Sequence, residues 1–275
     1  MRFFTFSLIC LSLILLSCAK KEQTPATIVF RDLAYDADSL QRLDIFIPSG
    51  KTKQNKCVIL IHGGGWGWGD KSSCNYFSSL FVERGYVAVQ INYRLAGQTV
   101  HLDEILNDIG KAINFITSNA SGWKIDTTSM TIFGHSAGAQ LALVYAYRFP
   151  SAHSIGNVVS LSAATDFTDT TLLNISGNRD LINLLLGDTS TTQRRNASPL
   201  YLVHPNVAST LLIHGKLDPY FPYHQSEILQ NKLDLEGVTN KLLLFNYEGH
   251  ELYPPYISNE DNAVLWEEVF RFIRE

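Results

Sequence analysis

The stretch Gly-His-Ser-Ala-Gly at residues 134–138 constrains the fold of this chain more than any other. Residues 129–133 before it are β-prone, and residues 137–146 after it are rich in helix-forming side chains. A serine on a sharp strand-to-helix turn needs small residues two positions away on either side, and glycine meets that need. The N-terminus of the following helix also favours negative charge beside the serine. The stretch therefore predicts a nucleophile elbow with Ser136 at its tip.

Strand-like and helix-like segments alternate from residue 57 onward. The predicted strands cover residues 28–36, 41–48, 57–61, 86–93, 129–133, 158–161, 210–213 and 241–247. The predicted helices cover residues 74–84, 102–117, 136–148, 224–235 and 259–273. This alternation predicts an α/β fold, in which a doubly wound, mostly parallel β-sheet is flanked by helices on both faces. The segment at 41–48 ends in a proline and is expected to be an outer antiparallel strand.

Residues 166–198 do not follow the alternation and are long for a plain connection. Within them, residues 181–186 are a candidate for a short apolar helix. In a doubly wound sheet such a segment lies near the carboxyl ends of the strands. It is expected either to form at most a small cap over the site or to be a surface excursion without substrate contact.

The composition is that of one large globular domain. The chain has 275 residues, of which 45% are hydrophobic and 17% charged, enough for a deep core. Its formal net charge of −4, without a basic stripe along any predicted helix, argues against nucleic acid as a partner.

The N-terminal segment has the pattern of an export signal rather than of the fold. A basic start at Arg2 precedes an apolar run, residues 3–16, that is short for a membrane span. Residues 15–18, Leu-Leu-Ser-Cys, resemble a bacterial lipobox, which implies lipidation of Cys18. An ordinary signal peptide with an incidental cysteine is the alternative. We therefore predict a signal peptide at 1–17, a tether at 18–27, a catalytic domain at 28–275 and an exported, lipid-anchored protein of the bacterial cell envelope.

Two further cysteines, Cys57 and Cys74, remain in the predicted domain. They flank opposite ends of a strand of about five residues at ~3.3 Å per residue, which places them beyond disulfide range. Neither has the spacing of a metal ligand set, so both are interpreted as packing residues.

The loop after the strand at 57–61 reads His62-Gly63-Gly64-Gly65-Trp66. Consecutive glycines let backbone N–H groups point into open space, where an acyl-transfer enzyme needs donors for an oxyanion. Together with the amide after the nucleophile, the loop predicts an oxyanion hole made by Gly64, Gly65 and Ala137. His62 is interpreted as a structural residue that holds this loop.

A serine nucleophile needs a base, and the base needs an orienting acid. In hydrolases with this elbow, the acid and then the histidine follow the serine in the chain. Asp218 lies on the loop after the strand at 210–213, and His250 lies on the loop after the last strand. We predict a triad of Ser136, Asp218 and His250, with Asp166 as the rival acid.

These motifs, with residues 92–95, Pro222 and Gln225, give a family resemblance that runs from about residue 30 to the C-terminus. The chain resembles α/β-hydrolase esterases of the bacterial feruloyl/acetyl-xylan esterase-like group, near the hormone-sensitive-lipase-like carboxylesterases. The large N-terminal helical cap of the lipase-like relatives has no room here, which argues against long-chain lipid substrates.

The resemblance implies a serine carboxylesterase that needs no metal or organic cofactor. Aromatic side chains near the predicted triad suggest an open cleft for sugar rings or phenolic acyl groups, or they are simple packing residues. The candidates for this cleft are Trp66, Trp68, Tyr220 and Tyr253. The expected substrate is a small ester or an acylated glycan. A serine peptidase or amidase of the same fold, and a non-catalytic binding protein, are the alternatives.

Overall fold

A computed structural model of the chain describes residues 27–49, 55–150 and 155–274. The predicted signal peptide, the predicted lipidation site Cys18 and residues 18–26 of the predicted tether lie outside the described residues. Thr27, the last residue of the predicted tether, is the first described residue and belongs to the first strand. No helix within the described ranges is long and apolar enough to cross a membrane.

The described residues form one eight-stranded sheet. Its strands are β1 (Thr27–Ala34), β2 (Arg42–Pro48), β3 (Asn55–Ile61), β4 (Val87–Ile91), β5 (Ile125–His135), β6 (Ile155–Leu161), β7 (Ser209–Gly215) and β8 (Asn240–Phe245). Their order across the sheet is β1-β2-β4-β3-β5-β6-β7-β8. The β1–β2 and β2–β4 pairs are antiparallel, and the remaining pairs are parallel. The predicted mostly parallel sheet is confirmed, and β2 is antiparallel as predicted, but β1 pairs along its outer side, so β2 is not the edge strand.

The helices lie on both faces of this sheet. They are α1 (Asn75–Glu83), α2 (Leu102–Trp123), α3 (Ala137–Arg148), α4 (Thr170–Leu173), α5 (Asn178–Leu186), α6 (Thr191–Asn196), α7 (Pro199–Leu202), α8 (His224–Leu235) and α9 (Asn259–Phe272). Buried side chains of α2, α3 and α8 form the core on one face. Those of α1 and α9 form it on the other. The doubly wound arrangement is therefore confirmed, and β3 is apolar along residues 57–61 because both of its faces are covered.

Helix α2 and strand β5 extend furthest beyond their predicted bounds. Helix α2 runs beyond residue 117 to Trp123, through serine, asparagine and glycine, which are weak helix formers. Ala120 is buried in this extension, so packing against the core overrides the weak propensity, and the helix ends where Lys124 adopts a left-handed φ of 54°. Strand β5 begins at Ile125 rather than at 129, because its start pairs with the start of β3.

The two cysteines of the described domain are free thiols. Cys57 packs in the core on one face of the sheet, and Cys74 packs in the core on the other face. Burial raises the pKa of each thiol to about 12. The prediction that both are packing residues rather than a disulfide is confirmed.

Residues 166–198 fold as three short helices, α4, α5 and α6, rather than as a plain loop. The predicted apolar helix at 181–186 is the C-terminal two thirds of α5. Its Leu181 lies against the glycine loop, since a Cβ built on Gly65 would stand 3.3 Å from the Leu181 Cδ1 atom. The segment is thus placed beside the candidate oxyanion loop.

Candidate active site

Ser136 is held on a strained turn between β5 and α3. Its φ of 58° and ψ of −123° lie in a region that side chains of L-residues rarely adopt. The backbone N–H of Ser136 donates to the carbonyl oxygen of Leu161 at 2.8 Å, which ties the turn to the end of β6. The turn thus directs the serine side chain toward the carboxyl end of the sheet, where the loops after β7 and β8 also lie.

The two glycines of the motif are required by close backbone approach. A Cβ on Gly134 would stand 2.2 Å from the carbonyl oxygen of Gly138. A Cβ on Gly138 would stand 2.2 Å from the carbonyl oxygen of Ile61, in the neighbouring strand β3. Any side chain at either position would therefore push the elbow away from the sheet.

The structure brings Ser136, His250 and Asp218 into one hydrogen-bonded chain. The Ser136 hydroxyl lies 2.9 Å from Nε2 of His250. Nδ1 of the same ring lies 2.6 Å from Oδ2 of Asp218. With Nδ1–H donating to the carboxylate, Nε2 is free to accept the serine proton. All three side chains are at least nine-tenths buried.

Asp218 is held as an ionised acceptor. Its Oδ1 accepts the backbone N–H groups of Tyr220 at 2.8 Å and Phe221 at 2.9 Å. Burial acts to raise the pKa of Asp218, but hydrogen bonds from His214 and His250 outweigh burial and hold that pKa well below its usual range. The carboxylate therefore keeps its charge throughout the pH range in which His250 would work as a base.

A second histidine, His214, shares the same carboxylate, a role that its position in the sequence did not predict. Its Nε2 lies 3.1 Å from Oδ2 of Asp218 and 2.9 Å from the carbonyl oxygen of Phe221, so this nitrogen carries a hydrogen. Its Nδ1 lies 2.8 Å from the Ser226 hydroxyl. The ring is fully buried and positions the loop after β7 that carries Asp218, here called the acid loop. The only local signal was its place four residues before Asp218.

The backbone of His250 has its own supports. The Ser162 hydroxyl donates to the His250 carbonyl oxygen at 2.9 Å, and Ser162 itself has a positive φ of 57° at the end of β6. Nε2 of His135 lies 3.3 Å from the same oxygen. His135 is the last residue of β5, and Ser162 directly follows β6. These positions at strand ends were their only signal in the sequence. They hold in place the loop after β8 that carries His250, here called the base loop, and do not touch the reacting atoms.

The glycine loop lies beside the nucleophile. A Cβ on Gly63 would stand 3.1 Å from the Cβ of Ser136. Gly64 and Gly65 have φ values of 109° and 52°. In the described structure their amides donate to no protein acceptor, and Ala137 opens α3, where an amide has no acceptor one turn back. These amides are available, and their role as the oxyanion hole stays a prediction.

His62 has the structural position that its sequence context predicts. Its ring stacks on Tyr93 with centroids 4.4 Å apart, and its Nδ1 lies 2.7 Å from the carbonyl oxygen of Gly63. Burial lowers the pKa of His62, which favours the neutral ring. Its contact with Gly63 holds the start of the loop.

The predicted aromatic cleft is only partly assembled. Trp66 is 1% exposed, and its indole N–H donates to Oε1 of Gln140 at 2.9 Å. The placement of Trp66 in the cleft is therefore wrong, because Trp66 turns inward and anchors the loop to α3. Trp68 and Tyr220 are more than half exposed. The Tyr220 ring meets the His250 ring edge-on at 5.1 Å, and Tyr253 meets His135 at 5.6 Å.

The rival acid Asp166 is committed elsewhere. Its Oδ1 accepts the backbone N–H of Thr168 at 2.8 Å and the Thr168 hydroxyl at 2.7 Å. It makes no hydrogen bond to His250 in the described structure. The structure thus places Asp218, and not Asp166, on the imidazole.

One group of metal-ligating side chains was found among the described residues. His135, His250 and Glu251 each offer a ligand atom within 4.8 Å of the others. However, both ring nitrogens of His250 already face Ser136 and Asp218. A metal ion here would compete with these hydrogen bonds of His250. We therefore assign His250 to the hydrogen-bonded chain and not to a metal site.

Comparison with known proteins gives a family and a fold. The sequence model of the BD-FAE family matches residues 43–233. A truncated carbohydrate esterase from gut microbiota superposes with a TM-score of 0.77 at 19% identity, covering 92% of this chain and 100% of that one.

Two curated relatives bear on chemistry. A probable isoprenylcysteine alpha-carbonyl methylesterase from Oryza sativa subsp. japonica is 24% identical over 240 residues, covering 81% of this chain and 58% of the relative. A kynurenine formamidase from Drosophila melanogaster is 34% identical over 102 residues, covering 37% of this chain and 33% of the relative. The chain thus spans less than two thirds of the length of these relatives.

Proposed function

The chain belongs to the BD-FAE family of α/β-hydrolase esterases, and on that premise we propose that it is a serine carboxylesterase. Its substrates are esters of short-chain or aromatic acyl groups, carried by a small alcohol or by a carbohydrate. The observation that carries the proposal is the chain of hydrogen bonds from Ser136 through His250 to Asp218, with lengths of 2.9 and 2.6 Å.

The chemistry follows from that geometry. The Ser136 hydroxyl attacks the ester carbonyl while Nε2 of His250 takes its proton. The oxyanion that forms accepts hydrogen bonds from the amides of Gly64, Gly65 and Ala137. His250 then gives its proton to the leaving alcohol, and an acyl-serine remains. Water, with His250 again as base, attacks the acyl carbonyl and releases the acid and the free serine.

The carbohydrate part of the proposal rests on the solved neighbours and on the exposed rings. One neighbour is a carbohydrate esterase, and another structural relative is a bifunctional GH43-CE protein from Bacteroides eggerthii. Trp68, beside Gly64 and Gly65, and Tyr220, beside His250, are more than half exposed, and aromatic faces stack well on sugar rings. We therefore place acylated glycans first among the natural substrates.

Amide hydrolysis is the second candidate, and one observation favours it. The formamidase relative is 34% identical, although over only 37% of this chain. The same serine, histidine and aspartate can cleave an amide when the leaving amine is protonated by His250. A purely binding role has less support, because binding alone does not require these three side chains to be hydrogen-bonded to one another.

Hydrolysis of a series of p-nitrophenyl esters, from acetate to long acyl chains, tests the proposal. Acetylated xylan, methyl ferulate and N-formylkynurenine are assayed beside it. We expect turnover to be highest with short acyl groups. Ser136→Ala should lower kcat by about 10³-fold or more, because the nucleophile is lost.

Ser79→Ala is the matched control, because Ser79 is an exposed serine on α1, far from the triad in sequence. It should keep wild-type rates. Near-normal turnover by a folded Ser136→Ala protein would contradict the triad. Turnover of the formamide alone would replace the esterase with an amidase.

We also propose that the enzyme is tethered to the bacterial cell envelope through a lipid on Cys18. The proposal rests on the sequence Leu-Leu-Ser-Cys at 15–18, after an apolar run. Removal of residues 1–17 would leave Cys18 as the first residue of the mature chain. Acyl chains on this residue would hold the catalytic domain at a membrane surface near polymeric substrates.

A further inference from the structure

A polar cavity of about 390 Å³ lies among the short helices of residues 166–198. Its lining includes Arg179 and Asn183 from α5, Thr191 and Arg194 from α6, and Thr189 between the two helices. Its volume is within the range of small-ligand sites. We call it the arginine cavity.

The arginine cavity is separate from the catalytic cleft. Arg179 and Asn183 are one helical turn apart and share one face of α5. Leu181 and Leu184 lie on the other side of the helix, where they approach Gly65 and Gly67 of the glycine loop. A helix about 10 Å across therefore stands between this cavity and the glycine loop.

Arg194 is a buried charge without an acidic partner. It is 6% exposed. Its guanidinium donates to Oδ1 of Asn183 at 2.6 Å and to the carbonyl oxygen of Phe167 at 3.4 Å, both neutral acceptors. Among the described residues, no carboxylate lies within ion-pair distance of it. Buried arginines are normally paired with an acid, because an unpaired buried charge is costly.

A second unpaired arginine stands at the same cavity. Arg179 donates to Oδ1 of Asn174 at 3.3 Å and forms no ion pair within the described part of the chain. Burial lowers the pKa of Arg194, and the nearby positive charge of Arg179 lowers it further. Both guanidinium groups remain charged at neutral pH. Together they make a positive site with donor groups left over.

Two acids stand one or two residues before lining threonines in the sequence, and both accept hydrogen bonds within their own loops. Oδ1 of Asp166 accepts both the amide and the hydroxyl of Thr168. The two carboxylate oxygens of Asp188 accept the amide and the hydroxyl of Ser190, at 2.7 and 3.2 Å. Neither carboxylate neutralises the two arginines.

We propose that the arginine cavity binds a small oxyanion, a carboxylate or a phosphate, between Arg179 and Arg194. Planar guanidinium groups pair bidentately with such anions. The hydroxyls of Thr189 and Thr191 can donate to the same ligand or to hydroxyl groups next to it. The ligand is either free phosphate or the acidic group of a sugar. The site does not depend on the esterase activity proposed above.

Titration calorimetry at constant ionic strength tests the site with three probes: inorganic phosphate, glucuronate and neutral glucose. We expect phosphate or glucuronate to bind and glucose not to bind. The probe that binds more tightly identifies the source of the anion. Arg179→Gln should weaken binding by at least about tenfold, because one charge-assisted hydrogen bond is lost. Arg179 is exposed, so this variant is expected to fold.

Arg195→Gln is the matched control. Arg195 is an exposed neighbour whose guanidinium lies 5.1 Å from the Tyr201 ring centroid, and it does not line the cavity. It should leave the affinity within about twofold of wild type. Arg194→Gln, checked for folding by circular dichroism, should abolish binding. Equal binding by wild type and Arg179→Gln, or no binding of either anion by wild type, would overturn the proposal.

Discussion

His135 stands next to the nucleophile in sequence but faces the base loop in space. Its Nε2 lies 3.4 Å from a carboxylate oxygen of Glu251 and 3.3 Å from the carbonyl oxygen of His250. Tyr253 and Phe77 pack on the same ring. Burial, and then the charge of His250, lower the pKa of His135 to about 4, although Glu251 and Asp218 act in the opposite direction.

This lowered pKa makes stability depend on pH. Between pH 6.5 and about 4 the unfolded chain binds a proton at His135 and the folded chain does not. The free energy of unfolding is therefore intact above pH 6.5 and falls as pH falls. From pH 7.5 to 5 the loss from this residue is about 2 kcal/mol. Between pH 7.5 and 5, the unfolding free energy of His135→Gln should fall by about 2 kcal/mol less than that of wild type. Urea unfolding at both pH values measures the difference.

His204→Gln is the control, since it removes a histidine from the loop before β7. Its unfolding at the same two pH values shows the effect of removing a histidine elsewhere in the domain. If His135→Gln and wild type lose the same unfolding free energy between pH 7.5 and 5, then His135 does not stay neutral in the folded protein.

The residues of the triad could be predicted from the sequence because each follows a recognisable strand. Ser136 follows β5, Asp218 follows β7 and His250 follows β8, and parallel strands bring such loops to one edge. The role of His214 could not be predicted in this way. Its contact with Asp218 arises because the acid loop curls back until Phe221 reaches the same ring.

At the scale of elements, α5 and the glycine loop form one unit. Leu181 and Leu184 of α5 lie 3.3 Å from the Cβ positions of Gly65 and Gly67. On the inner side of the loop, Trp66 is tied to Gln140 of α3, which also donates to the carbonyl oxygen of Ala197 at 2.8 Å. The loop is therefore clamped between α3 and the helices of residues 166–198.

Leu181→Ala tests whether α5 also shapes the acyl site. Removing this side chain opens space beside Gly65, so the rate on butyrate and longer esters should rise relative to acetate by about threefold or more. The p-nitrophenyl ester series measures this ratio. Leu235→Ala, on a side chain 82% exposed at the end of α8, is the control and should change nothing. An unchanged profile in folded Leu181→Ala would mean that α5 supports the loop without touching substrate.

The elements themselves were largely predictable, and their ends were not. Periodicity located the strands and the long helices, because burial on one or both faces of an element repeats along the sequence. The extension of α2 to Trp123 depends on the core contact of Ala120, which no local pattern reveals. The four short helices from Thr170 to Leu202 also depend on tertiary contacts, because they contribute side chains to the core of the domain.

At the scale of the whole molecule, the described domain contains the complete candidate site, and the proposed anchor precedes it. Cys18→Ser should move the full-length protein, expressed in a bacterial host, from the membrane fraction to the soluble exported fraction. The proposed esterase activity per mole should stay the same, because Ser136, Asp218 and His250 all lie in the described domain. Immunoblotting of the fractions, with activity assays, measures both.

Cys10→Ser is the matched control, because Cys10 lies inside the predicted signal peptide and would be removed with it. This variant should fractionate like wild type. Membrane association that survives in Cys18→Ser would argue for an uncleaved hydrophobic anchor instead of a lipid.

The sequence by itself determined the features that depend on neighbours along the chain. The glycines at 134 and 138, the strand-helix alternation, and the order of serine, aspartate and histidine are local or sequential patterns. Only the tertiary structure decided that Trp66 turns inward, that His214 shares Asp218, and that two unpaired arginines face one cavity. Burial and pairing depend on which segments distant in sequence pack together, and a local sequence pattern does not predict that packing.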